Sequence, residues 1–151
     1  MDLCTFLAHA VKLEHEAAII YTKSAEVVSA AKNQDAAAFF CEMAGYANSH
    51  LKDVMTRAGY KDISDLPEMS YQWGNRSAPE TLSPIPSSDD IIDLDSAMTM
   101  ALDAERRAVE FYAGVAASSP DPRIRTLALE FATEERGHVL ALERFMGLKP
   151  Y

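Results

Sequence analysis

The chain has 151 residues, of which 48% are hydrophobic and 25% are charged, as in one ordinary globular domain. Its net charge of −9 argues against a broad surface for nucleic acid or anionic lipid, because both partners need clustered lysine and arginine. No apolar run approaches the roughly 20 residues that span a bilayer, so no membrane segment is expected.

Apolar residues recur at helical spacing through most of the chain, and strand-like alternation is nearly absent. A continuous apolar stripe predicts a first helix over residues 3–31. The segment KNQD breaks this pattern, and Asp35 is predicted to cap a second helix over residues 36–58. Gly59 then ends that helix, since glycine readily adopts the left-handed turn that follows many helices.

Residues 60–92 differ in composition, with prolines, serines and a glycine in place of the helical pattern. This segment is too long for a tight turn and suits a connection that runs the length of a bundle. A third helix is predicted over residues 93–118. A fourth is predicted over residues 122–146, with Asp121 as its N-cap and Pro122 at its first position.

The connections are therefore short, long and short in turn. This order predicts an all-α four-helix bundle built from two helical hairpins within a single domain, residues 1–151. An alternative is a pair of hairpins that dock only in a dimer.

The two halves of the chain carry a repeated pair of residues. Glu14 and Tyr21 lie seven residues apart in the first helix, as do Glu105 and Tyr112 in the third. Seven residues are nearly two helical turns, so each glutamate lies on the same face as its tyrosine.

The second and fourth helices repeat each other as well. His50 and His138 are each followed nine residues later by a glycine. Glu135 lies three residues before His138, whereas the residue three before His50 is Ala47. The correspondence between the halves indicates an internal duplication with a pseudo-twofold arrangement.

Two of these glutamates, Glu14 and Glu105, lie in the apolar stripes of their helices. A carboxylate there is costly to bury unless it is protonated, paired or bound to a cation. Glu135 and His138 are three residues apart, about 60° around the helix axis, so both can point to one centre. Carboxylate oxygens with imidazole nitrogens suit iron, manganese or zinc rather than calcium or magnesium.

With these motifs the sequence resembles the rubrerythrin-like branch of the ferritin-like superfamily. The resemblance covers all four helices and is closest over ALDAERRAVEFYAGVAASSPDPRIRTLALEFATEERGHVLALERF. It implies a ferritin-like bundle with a carboxylate-bridged di-iron centre in its core. The metal ligands that it implies are Glu14, His50, Glu105, Glu135 and His138. It also implies that Tyr21 and Tyr112 support these ligands by hydrogen bonds, although both also fit the role of simple core aromatics.

One ligand of the family pattern is missing, because Ala47 stands where the second bridging glutamate is expected. Two ferrous ions carry four positive charges, and three carboxylates leave one of them uncompensated in a low-dielectric interior. Hydroxide, a substrate anion or a small exogenous carboxylate could supply the missing charge. Alternatively a single ion binds, through Glu105, Glu135 and His138. We expect an asymmetric site that is weaker than a six-ligand centre.

Other acidic and aromatic residues near the motifs have competing interpretations. Glu134 is a rival to Glu135 but lies on a neighbouring face of its helix. Glu42 and Glu130 are predicted to lie at the surface, since eight residues rotate them about 80° from the histidines that follow. Trp73 is predicted to anchor the long crossover to the bundle.

The first functional hypothesis is a non-haem iron oxidoreductase of the peroxidase or ferroxidase type, acting on peroxide or dioxygen. It would need an external electron donor, because Cys4 and Cys41 cannot form a four-thiolate iron centre. These cysteines also form no disulfide framework, so a cytoplasmic location is expected. The second hypothesis is a non-catalytic iron-binding or interaction protein with a degenerate site. A third is iron storage in a large cage, and the family resemblance itself suggests a homodimer.

Overall fold

The computed structural model describes residues 1–71 and 87–147. Four long helices dominate these residues, and no strand occurs within the two described ranges. The helices are α1 (Leu3–Ala30), α2 (Gln34–Ala58), α3 (Leu94–Ser118) and α4 (Pro122–Phe145). Two short 3-10 turns, Ile63–Asp65 and Ser88–Asp90, lie in the connection between α2 and α3. The predicted all-α fold class is confirmed.

Each long helix begins at an Asx residue whose side chain accepts a backbone N–H of the first turn. The four N-caps are Asp2, Asn33, Asp93 and Asp121. Asp121 was predicted to be an N-cap, and Pro122 is the first residue of the helix that follows it. Gly59 ends α2 with a left-handed φ of 77°, also as expected from the sequence.

The start of α2 differs from the prediction. The helix begins at Gln34 rather than at residue 36, and Asn33, not Asp35, is its N-cap. The reversal between α1 and α2 is completed at Lys32, whose φ of 63° is left-handed, and Asn33 then accepts the Ala36 N–H at 3.1 Å. Asp35 lies in the first turn instead, where its negative charge favours the helix N-terminus.

The helices pack as two hairpins, α1 against α2 and α3 against α4, and α1 against α3 is the main contact between the hairpins. The hairpins therefore meet within one chain, and the alternative in which they dock only in a dimer is wrong. None of the helices in the described ranges combines the length and the apolar character that a membrane span requires.

The buried apolar side chains form two clusters, one towards each end of the bundle. The first contains Tyr21, Phe40 and Leu142 among others, and the second contains aromatic residues such as Phe6 and Phe131. Between them lies a layer of buried polar side chains on all four helices. The predicted anchor Trp73 lies outside the described residues.

Candidate metal centre

The polar layer between the two clusters contains all five predicted metal ligands. Glu14, Glu105 and Glu135 are nearly inaccessible to solvent, with exposures of 2%, 1% and 1%. His50 is also buried, and the His138 side chain is the most open of the five at 17%. Three carboxyl groups in an apolar interior need charge or hydrogen-bond partners, and each finds an imidazole.

The ligands fall into two groups that share one residue. In each group the candidate ligand atoms lie within 4.8 Å of one another. The first group is Glu14, His50 and Glu135, and the second is Glu105, Glu135 and His138. Glu135 belongs to both, so its carboxyl group lies between the two histidines.

In the first group, His50 points its Nδ1 atom at the two carboxyl groups. This atom lies 3.2 Å from Glu14 Oε2 and 3.4 Å from Glu135 Oε1. The ring packs edge-on against Phe131, with 4.9 Å between ring centroids, and this contact limits its rotation.

The second group mirrors the first across the bundle. His138 Nδ1 lies 3.1 Å from Glu135 Oε2 and 3.4 Å from Glu105 Oε1. The two oxygens of Glu135 therefore face different histidines, which is the arrangement required of a bridging carboxylate.

Each predicted supporting tyrosine hydrogen-bonds a glutamate of the opposite hairpin. The Tyr112 hydroxyl donates to Glu14 Oε1 at 3.0 Å, and the Tyr21 hydroxyl donates to Glu105 Oε1 at 2.5 Å. Both tyrosines are completely or almost completely buried. The pairing also shows that α1 and α3 run antiparallel, because the early residue of one helix meets the late residue of the other.

The charges of this layer are strongly coupled. Burial and the nearby charges of Glu14 and Glu105 raise the pKa of Glu135 well above its usual range. Burial opposes a charged imidazole, but the surrounding carboxylates outweigh it and raise the pKa of both His50 and His138 to about 10. Burial also opposes ionisation of Glu105, yet hydrogen bonds from its neighbours lower its pKa. Without metal, the layer therefore holds protons where cations would bind.

Burial and the carboxylates beside them raise the pKa of both Tyr21 and Tyr112. The two tyrosines consequently remain neutral donors. Tyr112 holds Glu14 Oε1 and leaves Oε2 facing His50. Tyr21 instead holds Glu105 Oε1, the same oxygen that lies 3.4 Å from His138 Nδ1.

The sequence matches the Rubrerythrin family model over residues 5–146. The chain belongs to the rubrerythrin family. It is similar to the crystal structure of an uncharacterized conserved protein from Magnetospirillum magnetotacticum MS-1, at 32% identity and a TM-score of 0.78. This similarity covers 100% of the present chain and 97% of the other. No curated protein matches the sequence significantly. The ferritin-like four-helix bundle expected from the sequence is thereby confirmed.

The rubrerythrin-family layer is incomplete at Ala47. This residue is 1% exposed and lies on the inner face of α2, one turn before His50. Its position corresponds to that of Glu135 on α4, so the methyl group stands where the pseudo-twofold arrangement would place a second bridging carboxyl group.

The donor set fits a metal centre of the rubrerythrin family. Three carboxyl groups and two imidazoles converge, and iron, manganese and zinc all accept such ligands. Glu105 Oε2 is buried and has no hydrogen-bond donor among the described residues. Because a buried carboxylate oxygen is rarely left without a partner, this atom is a natural point of attachment for a cation.

An open cleft reaches this layer from the side where α2 and α4 meet. Its lining residues are Tyr46, Ser49, His50, Asp53, Glu134 and His138. The two histidines at its base belong to different ligand groups, so a small molecule in the cleft would approach both.

Two contacts beside the cleft, those of Glu134 and Tyr46 with the histidines, were not predicted from the sequence. Glu134, the rival to Glu135 as a metal ligand, belongs to neither ligand group. Its Oε2 atom lies 3.0 Å from His50 Nε2, on the side of the ring that faces away from the carboxyl groups. The Tyr46 ring stacks on His138 at 6.3 Å and donates its hydroxyl hydrogen to Glu42. Their sequence signal is positional, since Tyr46 and Glu134 directly precede the corresponding residues Ala47 and Glu135.

Glu42 and Glu130 were predicted to lie at the surface, and both are exposed. Glu130 pairs with Arg57 at 3.2 Å, and neither glutamate belongs to a ligand group.

Proposed function

We propose that this rubrerythrin-family protein is a non-haem iron oxidoreductase that acts on peroxide or dioxygen. The observation that carries the proposal is the position of Glu135. Its two carboxylate oxygens face the Nδ1 atoms of His50 and His138, at 3.4 and 3.1 Å. This is the geometry expected of a carboxylate that holds two ions side by side.

Two iron ions per chain would be held by the two groups that share this carboxylate, with manganese or zinc as the alternative metals. Glu14 and His50 would hold one ion, Glu105 and His138 the other, and Glu135 both. Iron in such a centre supplies electrons one at a time to small oxygen species. In an alternative with one ion, the ligands would be Glu105, Glu135 and His138.

The remaining residues of the centre control proton positions and access. Tyr21 and Tyr112 fix the two terminal glutamates and leave one oxygen of each free for the metal. The proton that Glu135 retains without metal must leave when a cation arrives, because the carboxylate then needs both oxygens. The cleft beside the histidines admits small molecules, and its acidic rim favours neutral or cationic molecules over anions.

The absence of a carboxyl group at Ala47 affects charge balance. Two ferrous ions and three carboxylates leave one positive charge in a buried layer. We propose that hydroxide compensates this charge, derived from neutral water that enters through the cleft and loses a proton. The centre would therefore bind its metal more weakly than a six-ligand centre.

The same proposal includes partners and location. An external protein would donate electrons, since Cys4 and Cys41 are separate free thiols. We further propose that the chain is a cytoplasmic homodimer. Sizing by light scattering would distinguish a dimer from a monomer and from a cage of many chains.

The proposal is tested by anaerobic loading with ferrous iron, followed by metal analysis and exposure to hydrogen peroxide. Two ions per chain and re-oxidation by peroxide over many turnovers, with a supplied reductant, are expected. One ion per chain would leave only the mononuclear arrangement. Failure to bind iron, manganese or zinc would refute the metal centre itself.

A second candidate function is non-catalytic iron binding or an interaction role, and Ala47 is the observation that favours it. A centre with one bridging carboxylate could retain a metal ion without cycling between oxidation states. Tight iron retention together with no peroxide-dependent re-oxidation would support this alternative over the oxidoreductase.

A further inference from the structure

The two candidate histidine ligands differ on the side of the ring that faces away from the carboxyl layer. His50 has an acidic neighbour there, because Glu134 Oε2 lies 3.0 Å from its Nε2 atom. His138 forms ion pairs only through Nδ1 within the described residues, and its ring stacks on Tyr46 instead. The pseudo-twofold relation between the ligands therefore does not extend to their surroundings.

An imidazole ligand binds metal through the nitrogen that carries no proton, so the other nitrogen must hold it. The Glu134 carboxylate lies 3.0 Å from Nε2 in a charge contact that lacks hydrogen-bond geometry, and its negative charge favours a proton on that atom. When a metal ion takes the place of the Nδ1 proton, Nε2 keeps its proton beside Glu134. Nδ1 is already directed at Glu14 and Glu135, from which it lies 3.2 and 3.4 Å. Carboxylates of this kind orient histidine ligands and raise their basicity.

We propose that Glu134 is a positioning residue for His50, which selects its metal-binding tautomer. The inference rests on the proposed metal centre and extends it to a residue outside the ligand set. Glu134 and Glu135 are consecutive on α4, so one turn of this helix supplies the bridging carboxylate and orients the histidine of α2. Among the described residues His138 has no such partner, and it serves as an internal reference.

An ordinary surface ion pair would also bring a glutamate near a histidine. The pair formed by Glu130 and Arg57 on the same two helices is of that kind, since both side chains are substantially exposed, at 43% and 38%. The Glu134 side chain is similarly exposed at 44%, but its partner His50 is more than nine-tenths buried and points its other nitrogen at the carboxyl layer. The burial of only one partner is what a positioning contact requires.

Zinc is a suitable probe, because it is diamagnetic and takes no part in redox chemistry. Zinc affinity would be measured by competition with a chromophoric chelator for wild type, Glu134→Ala, Glu134→Gln and the matched control Glu130→Ala. Long-range proton–nitrogen NMR of the histidine rings would report, in the zinc-loaded proteins, which nitrogen carries the proton.

We expect wild-type His50 to bind zinc through Nδ1 and to carry its proton on Nε2. Glu134→Ala is expected to lower zinc affinity roughly 10- to 100-fold and to change the ring signals of His50 but not those of His138. Glu134→Gln should be intermediate, because the amide keeps a polar oxygen on a side chain of the same shape but carries no charge. Glu130→Ala should bind zinc as wild type does.

Equal zinc affinity in Glu134→Ala and Glu130→Ala would overturn the positioning role, and so would zinc bound to His50 through Nε2. If wild type binds no zinc, iron or manganese, the metal centre fails and the inference fails with it. Far-UV circular dichroism would verify folding, and Glu134→Gln keeps the side-chain shape if the alanine variant is unstable.

Discussion

Replacing Ala47 with glutamate restores the carboxyl group that the pseudo-twofold arrangement lacks. Ala47 is 1% exposed and lies one turn before His50 on the inner face of α2. The new side chain would enter a layer that already holds three buried carboxyl groups. Its effect should therefore have opposite signs in the metal-free and the metal-loaded protein.

Without metal, Ala47→Glu should destabilise the fold. Burying an incompletely bonded carboxyl group costs about 1–3 kcal/mol, and overpacking an alanine site adds about 1–3 kcal/mol. The pKa of Glu135 is already raised by the charges of Glu14 and Glu105, so a further carboxyl group nearby cannot ionise cheaply. Because each 1 kcal/mol shifts the melting temperature by about 2–4 °C in a chain of this size, the loss is measurable.

With two ferrous ions bound, the fourth carboxylate balances their charge. Opposite unit charges 4 Å apart attract by about 4 kcal/mol at an effective dielectric constant of 20. Even if most of this attraction is offset by packing strain, a residual 1.4 kcal/mol corresponds to about tenfold in affinity. We expect Ala47→Glu to bind iron at least tenfold more tightly than wild type.

The assay is a comparison of wild type, Ala47→Glu and Ala47→Gln by thermal denaturation, with chelator and with anaerobic ferrous iron. Glutamine has the same size and no charge, so it separates packing from electrostatics. Iron should raise the melting temperature most in Ala47→Glu. If Ala47→Glu and Ala47→Gln respond equally to iron, the charge argument is refuted.

Three further outcomes are expected. Tyr112→Phe removes the buried donor to Glu14 and should lower the free energy of unfolding by about 1.5–3 kcal/mol in urea denaturation with chelator, whereas an unchanged midpoint would show that the bond contributes nothing. Although burial opposes it, the carboxylates raise the pKa of His50 and His138 to about 10, above the unfolded value of about 6.5. The two protonated histidines therefore contribute their full stabilisation of the metal-free protein below about pH 6.5, and this contribution is lost as pH rises through about 10. With chelator present, the melting temperature of wild type should fall over this pH interval more than that of the double variant His50→Ala, His138→Ala. Phe131→Ala should lower the free energy of unfolding by about 3–5 kcal/mol, because this ring is fully buried and packs against His50. Urea denaturation followed by circular dichroism would measure this loss, and a clearly smaller value would contradict the prediction.

Helix ends were predictable where one residue alone has the chemistry to form them. Gly59 is the one glycine in its segment, and Pro122, which suits the first helical position, marks Asp121 rather than Ser118 or Ser119 as the N-cap. Both ends lie where the sequence places them. Asn33 and Asp35 are two residues apart and both have suitable side chains for an N-cap. The choice depends on the left-handed turn at Lys32, which composition does not specify.

The convergence of the ligand residues was predictable because it depends on local spacing and internal repetition. The partners of the tyrosines were not, since Tyr21 and Glu14 share a helix face while the hydrogen bond goes to Glu105. That choice depends on the antiparallel packing of α1 and α3. The role of Glu134 depends in the same way on where α2 lies against α4.

The exchange of hydrogen bonds between hairpins also determines how the protein can open. If either hairpin separates, a glutamate on the other loses its tyrosine donor and stays close to its apolar surroundings. Separation of the hairpins therefore leaves a buried glutamate without its donor on each of them. We expect the core amide hydrogens of both hairpins to exchange with solvent in one cooperative opening. We therefore expect local opening of the layer to be suppressed, which leaves the cleft between α2 and α4 as its access from solvent.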